Sequence, residues 1–364
     1  MKITDIQVHL IDTGREFSHI IPWGKLKIDG GLVRVFTDSG IEGNIDFDSH
    51  AQPSKVLAES ILSMKPLIIG EDPFNIERIW KRTFKATRHF VSIQAAGCID
   101  AALWDIVGKA LKLPLYKLLG GFKDRVRAYA CTLTPKDADS FLEQLKSLKQ
   151  RGFTAIKLHP WTNPKRDMEL CRLVRETVGE EVDLMFDAVC QYDRHIALSV
   201  GKVLDELNFY FYEDPIPDDD VEGYVKLNRK LSVAIAGFDS LRVSFGNYVD
   251  YMSRGAVEIL RADAARQGIT WTRKLAAVAE GFGRTLDAHA FGLPLAQAAN
   301  LHLMAGISNG EFFEMPVPEG FMDTATEEAI TLDADGYISL PQKPGIGLSI
   351  NWDKMNEITT AVLG

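Results

Sequence analysis

DLMFDAV at 183–189 decides the reading of this chain, together with FYFYEDPIP at 209–217 and SVAIAGFDSL at 232–241. Each opens as a short apolar run and reaches an acid: Asp187, Glu213 and Asp239. The three acids fall at equal intervals. Short apolar runs between helical segments read as buried parallel strands, and one strand plus one helix takes roughly 25–30 residues. Three consecutive strands then each carry a carboxylate at the carboxyl end. In an α/β barrel those ends meet at one mouth, where the chemistry sits.

Carboxylates brought together repel one another, and a hard divalent cation relieves the repulsion. All-oxygen ligation favours Mg²⁺ over Zn²⁺. A single acid at a strand end is more often a helix N-cap. Three in equal register point instead to a metal site on Asp187, Glu213 and Asp239.

The same rhythm runs outward in both directions. VRAYAC from Val126, TAIKLH, DLMFDA, FYFYED, SVAIAG, AVEILRAD, RTLDAH and EFFEM follow in turn, with helical segments between most of them. Eight such strands predict a TIM-type barrel over 126–325. No strand carries a Gly-rich dinucleotide fingerprint or a P-loop. Residues 1–125 lack the rhythm. Strands are predicted over 2–12 and 31–47, the second with a hairpin turn at Asp38-Ser39-Gly40. Helices are predicted over 54–64, 75–86 and 91–113. Strands followed by helices make an α+β domain. After Met315 the chain turns irregular, and its last segment, 326–364, reads as an extended surface tail.

The remaining strand ends also carry ionisable groups. Lys157 and His159 stand two apart, so they share one face of their strand. Asp263 and His289 end neighbouring strands. A carboxylate bonded to one imidazole nitrogen fixes the tautomer and raises the basicity of the ring, which suits acid–base work. Glu314 ends the eighth strand and can reach across the mouth. HIIPWG at 19–24 and DFDSH at 46–50 read as loops bearing aromatic and ionisable groups.

Composition excludes several classes. The chain has 364 residues, 46% of them hydrophobic and 25% charged, enough for one barrel and a smaller domain. A net charge of −9 gives no basic field for nucleic acid and argues against a membrane surface. Four cysteines without a CxxC pair suit a reducing compartment, and the N-terminus lacks the apolar core of a signal peptide. A cytoplasmic protein is expected.

The chain resembles the enolase superfamily, of the mandelate racemase type, over essentially its whole length. The resemblance is carried by WDIVGKALKLPLYKLLGG, the three acids, RADAARQG at 261–268, DAHAFG at 287–292, EFFE at 311–314 and PGIGL near the end. It implies an α/β fold: a modified (β/α)₇β barrel with an N-terminal α+β capping domain, and a tail that returns to the cap. It implies Mg²⁺ on Asp187, Glu213 and Asp239, and abstraction of the proton α to a carboxylate to give an enediolate. Lys157, His159, Asp263, His289 and Glu314 are then the catalytic set, with either histidine taking the proton. His19, Trp23 and His50 are the substrate contacts that the cap would add. The expected reaction is dehydration of an acid sugar to a 2-keto-3-deoxy acid. Racemisation or epimerisation of a 2-hydroxy acid is the alternative within the family, and a non-catalytic barrel that binds an acid sugar or a metal is the alternative outside it. A homo-oligomer, from dimer to octamer, is expected. Three positions depart from the family pattern: Lys-x-His at 157–159 for Lys-x-Lys, Asp239 for Glu, and Gln267-Gly268 for Gly-Gly.

Overall fold

The computed structural model describes residues 1–18, 25–49, 53–89, 91–239 and 244–364. The chain opens with three antiparallel strands, β1 (Ile3–Ser18), β2 (Lys25–Thr37) and β3 (Glu42–Asp48). Five helices follow: α1 (Ser54–Ser63), α2 (Lys65–Ile68), α3 (Ile76–Ala86), α4 (Ile93–Leu111) and α5 (Leu115–Leu119). Helix α4 ties this region to the barrel, since its small residues let backbone approach from two sides. A Cβ on Gly43 of β3 would lie 2.0 Å from the carbonyl oxygen of Ala102, and one on Gly97 would lie 2.4 Å from the carbonyl oxygen of Arg266. The helix therefore touches the sheet on one side and a barrel loop on the other.

The barrel is the predicted alternation. It runs β4 (Arg125–Cys131), α6 (Ala138–Arg151), β5 (Ala155–Leu158), α7 (Pro164–Val178), β6 (Asp183–Asp187) and α8 (Arg194–Glu206). It continues β7 (Phe211–Glu213), α9 (Val221–Lys230), β8 (Ala234–Gly237), α10 (Phe245–Ser253), β9 (Ile259–Ala262) and α11 (Ile269–Gly281). It closes with β10 (Thr285–Ala288), α12 (Pro294–Gly306) and β11 (Phe312–Pro316), which no barrel helix follows, giving a modified (β/α)₇β barrel. Parallel ladders join β4 through β10 in sequence and bring β11 back beside β4. The seam between β10 and β11 is bridged differently. Asp287 Oδ1 accepts the backbone N–H groups of Glu311 (2.7 Å) and Phe312 (3.2 Å).

Helix starts reveal how the two parts are joined. Asp137, Asn163, Asp193 and Asp220 cap α6, α7, α8 and α9 with their own side chains. Helices α11 and α12 begin at Gly268 and Leu293, which make no side-chain cap. Acids from the N-terminal region replace them. Asp100 of α4 accepts from Thr270 N at 2.9 Å, and Asp46 of β3 accepts from Leu295 N (2.9 Å) and Ala296 N (2.8 Å). Burial raises both carboxyls to about 7, against the pull of those N–H groups.

The tail departs from the sequence expectation of an irregular surface segment. It contributes β12 (Tyr337–Ser339), antiparallel to β4, then α13 (Trp352–Ile358) and β13 (Thr359–Leu363), which joins the first sheet beside β1. Ile338, Leu340 and Ile346 are buried. Ile346 N donates to Asp105 Oδ1 (2.8 Å), and Ile346 O pairs with His302 Nε2 (2.9 Å). The apolar residues between the prolines and glycines are anchors, which is why the segment is ordered against the core. Among the described residues, no helix is long and apolar enough to cross a membrane.

Candidate active site

Period-two alternation aims the strand-end side chains inward. Lys157 on β5 is buried, and its ammonium group uses three donors on three acids: Glu314 Oε1 at 2.7 Å, Glu213 Oε2 at 2.8 Å and Asp187 Oδ2 at 3.2 Å. Burial pulls the ammonium down, but Glu213, Glu314, Tyr129 and Asp187 hold it well above its usual value. Asp187 responds in the opposite sense: burial raises it, and Lys157 and His159 bring it below the carboxylate range. Glu314 is likewise held well down, with burial opposed by Lys157, His289 and Arg261. Glu213 stays raised, because burial outweighs Arg261 and Lys157.

The two histidines have different surroundings. His289 Nδ1 lies 3.0 Å from Asp263 Oδ2, while its Nε2 lies 3.9 Å from Asp239 Oδ2, beyond hydrogen-bond reach. Asp263 Oδ1 is fixed by Ala265 N (2.8 Å), Arg266 N (3.2 Å) and Asn300 Nδ2 (3.0 Å). Burial and Arg266 lower the imidazole, and Glu314, Asp263 and Asp239 together more than restore it, so its affinity for a proton is raised. His159 is engaged on both sides of its ring. Nδ1 lies 2.5 Å from the carbonyl oxygen of Thr132, and Nε2 lies 3.2 Å from Asp187 Oδ2.

The structure does not draw all three sequence-read ligands to one point. Among the described residues, the donor atoms that lie within 4.8 Å of one another are those of Cys190, Asp214 and Asp218, not those of Asp187, Glu213 and Asp239. Lys157 holds Asp187 and Glu213 inward. Asp239, with the shorter side chain of an aspartate, lies 3.8 Å from Arg266 Nη1. Lysine thus supplies part of the counter-charge that the sequence assigned wholly to a metal.

A hard divalent cation still fits these residues. The donors are carboxylate oxygens on successive strand ends, and acid remains in excess on the β7–β8 side. Asp214 is pushed well above the carboxylate range by burial and by Asp218, Asp239, Glu213 and Asp187. Asp218 rises to about 7 by burial and the repulsion of Asp239. The backbone here is strained as well: Val189, Cys190, Asp214 and Phe238 all have positive φ. A cation would offset that excess charge.

Several residues of the mouth were not read from the sequence. Arg261 is fully buried among the acids, Arg266 joins Asp263 (3.3 Å) to Asp48 of β3 (3.7 Å), and Asp287 holds the barrel seam. The signal for two of them was phase: Arg261 and Asp287 each stand two residues before a recognised site residue, hence on the same face. His19, Trp23 and His50 lie outside the described residues.

Comparison with known proteins agrees with this fold. Residues 140–354 match the model described as enolase C-terminal domain-like, and residues 29–120 match the mandelate racemase/muconate lactonizing enzyme N-terminal domain. Arabinonate dehydratase from Saccharolobus solfataricus is 33% identical over 306 residues, covering 81% of each chain. A solved structure from Pseudovibrio sp., described as a mandelate racemase/muconate lactonizing enzyme, superposes with a TM-score of 0.95 at 27% identity, covering 100% of this chain and 98% of that one. D-glucarate dehydratase from Agrobacterium tumefaciens, complexed with magnesium, gives a TM-score of 0.88 at 27% identity over 99% and 100%.

Proposed function

The chain belongs to the enolase superfamily, in its mandelate racemase/muconate lactonizing enzyme group, and from that premise we propose that it is a Mg²⁺-dependent dehydratase of an acid sugar. The single observation that carries the reading is the His289–Asp263 pair at 3.0 Å, with Nε2 making no hydrogen bond to a carboxylate among the described residues. Asp263 keeps the Nδ1 proton in place, so the lone pair belongs to Nε2. In the proposed reaction Nε2 takes the proton from the carbon α to the substrate carboxylate. The same imidazolium then gives that proton to the β-hydroxyl, which leaves as water. The enol that remains tautomerises to a 2-keto-3-deoxy acid. The C–H and C–O bonds broken are balanced by the new double bond and the water.

Asp187, Glu213 and Asp239 would hold the Mg²⁺, whose charge stabilises the negative charge developing on the substrate carboxylate. Lys157 stays among the acids and sets their charge balance. His159, engaged by Thr132 and Asp187, orients Asp187 in this reading and is not the base. That engagement also weighs against a racemase, which needs a second available acid–base group on the opposite face. The substrate class is supported by the names of two relatives, one acting on arabinonate and one on D-glucarate. The proposal includes a cap over 1–125, a barrel over 126–325, a returning tail over 326–364, a homo-oligomeric state and a cytoplasmic location.

The test is a library of aldonic and aldaric acids incubated with the enzyme and Mg²⁺, with detection of 2-keto acids. At least one member is expected to yield a 2-keto-3-deoxy acid. Absence of both turnover and α-proton exchange across the library overturns the proposal.

A further inference from the structure

Four side chains from alternate barrel strands close a ring of alternating charge: Lys157 on β5, Glu213 on β7, Arg261 on β9 and Glu314 on β11. Lys157 Nζ meets Glu213 Oε2 at 2.8 Å; Glu213 Oε1 meets Arg261 Nε at 2.6 Å. Arg261 Nη2 meets Glu314 Oε2 at 3.1 Å; Glu314 Oε1 returns to Lys157 Nζ at 2.7 Å. Each carboxylate gives one oxygen to each cation. All four side chains are at most 2% exposed.

Barrel interiors are filled by layers of four side chains from alternate strands, and those layers are dominated by bulky apolar residues. Here the layer under the mouth is a neutral quartet of charges. Unpaired, any one of them would be costly at this depth; paired in a ring, each restrains its neighbours. The ring also reaches outward. Lys157 extends to Asp187 (3.2 Å), and Glu314 Oε2 accepts from Ala290 N (2.8 Å), the residue after His289. Arg261 adds two anchors below, donating to the hydroxyl of Tyr129 (2.8 Å) and the carbonyl of Asp287 (3.0 Å).

We infer that Arg261 is a positioning residue of this site. Its fork binds both glutamates and, through Tyr129 and Asp287, the barrel wall. It sets the direction of Glu213, and hence of the cation site, and that of Glu314 beside His289. This inference rests on the reading of Glu213 as a cation ligand.

Fork and charge separate in the variants, and that makes the test specific. In Arg261→Met the two glutamates lose the donor that aims them, so Mg²⁺ is expected to bind at least threefold more weakly by calorimetry. The unfixed glutamates are expected to lower kcat, or the rate of α-proton exchange, at least tenfold. In Arg261→Lys the charge returns without the fork, so both quantities should stay low. If Arg261→Met does not fold, Arg261→Lys carries the same two measurements. A folded Arg261→Met with both quantities within twofold of wild type overturns the inference, as does recovery of both to within twofold of wild type in Arg261→Lys. Wild-type protein that binds no Mg²⁺ instead overturns the reading beneath it.

Discussion

Asp263→Asn tests the dyad through a single atom. Asp263 Oδ1 accepts from Ala265 N, Arg266 N and Asn300 Nδ2, at 2.8, 3.2 and 3.0 Å. An asparagine at 263 keeps its carbonyl oxygen on those three donors, so its NH₂ group must face His289. That NH₂ donates to Nδ1, and the imidazole proton moves to Nε2. The base then has no lone pair where the substrate sits. The same tautomer fault in a comparable carboxylate–histidine pair costs about 10⁴ in kcat, or about 5 kcal/mol of barrier. The variant also turns the NH₂ toward Arg266 Nε, which lies 3.3 Å from Oδ2. Losing that charged bond costs about 1–3 kcal/mol of stability. The pH profile should move too. Asp263 is one of the groups that raise His289, so the rise of kcat/KM through its titration should shift to lower pH in the variant. The assay is keto-acid formation across pH, with the His289 tautomer read by nitrogen NMR. A loss of less than tenfold with an unmoved profile would refute this role.

Asp187→Asn, Glu213→Gln and Asp239→Asn are each expected to weaken Mg²⁺ binding at least tenfold by calorimetry, because ligand charge sets affinity; unchanged binding in Asp239→Asn would remove it from the ligand set. Asp46 is raised from 3.8 to about 7 by burial, so the folded chain holds the proton more firmly than the unfolded one and stability falls as pH rises across that window. Asp46→Asn should therefore flatten part of that decline in melting temperature, while losing about 1 kcal/mol at low pH for the missing acceptor at the start of α12. Gly97→Ala places a Cβ 2.4 Å from the carbonyl of Arg266, where backbone must move; a loss of about 1–3 kcal/mol and a lower kcat are expected, and an unchanged melting curve would contradict the close approach.

The barrel was legible because its strands repeat a simple pattern: an apolar run, a polar end and a helix at constant spacing. Lys157 with His159 and Asp263 with His289 were legible for the same reason, since alternation and register fix their neighbours. The ring beneath them was not. Arg261 lies inside a layer expected to be apolar, and its meaning comes from Glu213 and Glu314, which are distant in sequence. Charge alone leaves the number of cations open. Three carboxylates require positive charge, and sequence cannot apportion it between a metal and a lysine that folds in among them. In the tail, prolines and glycines masked three buried anchors, Ile338, Leu340 and Ile346. Asp46 and Asp100 were invisible as helix caps because the helices they cap belong to the other part of the fold.

The central claim is that His289 removes a proton α to a carboxylate. It is tested most directly by following release of α-deuterium to solvent from an acid sugar that the enzyme turns over, in the presence of Mg²⁺, for wild type and His289→Asn. Wild type is expected to lose the label during turnover. His289→Asn, with its fold and Mg²⁺ binding intact, is expected to release none. Release by His289→Asn at the wild-type rate would contradict the claim and assign the proton to another group.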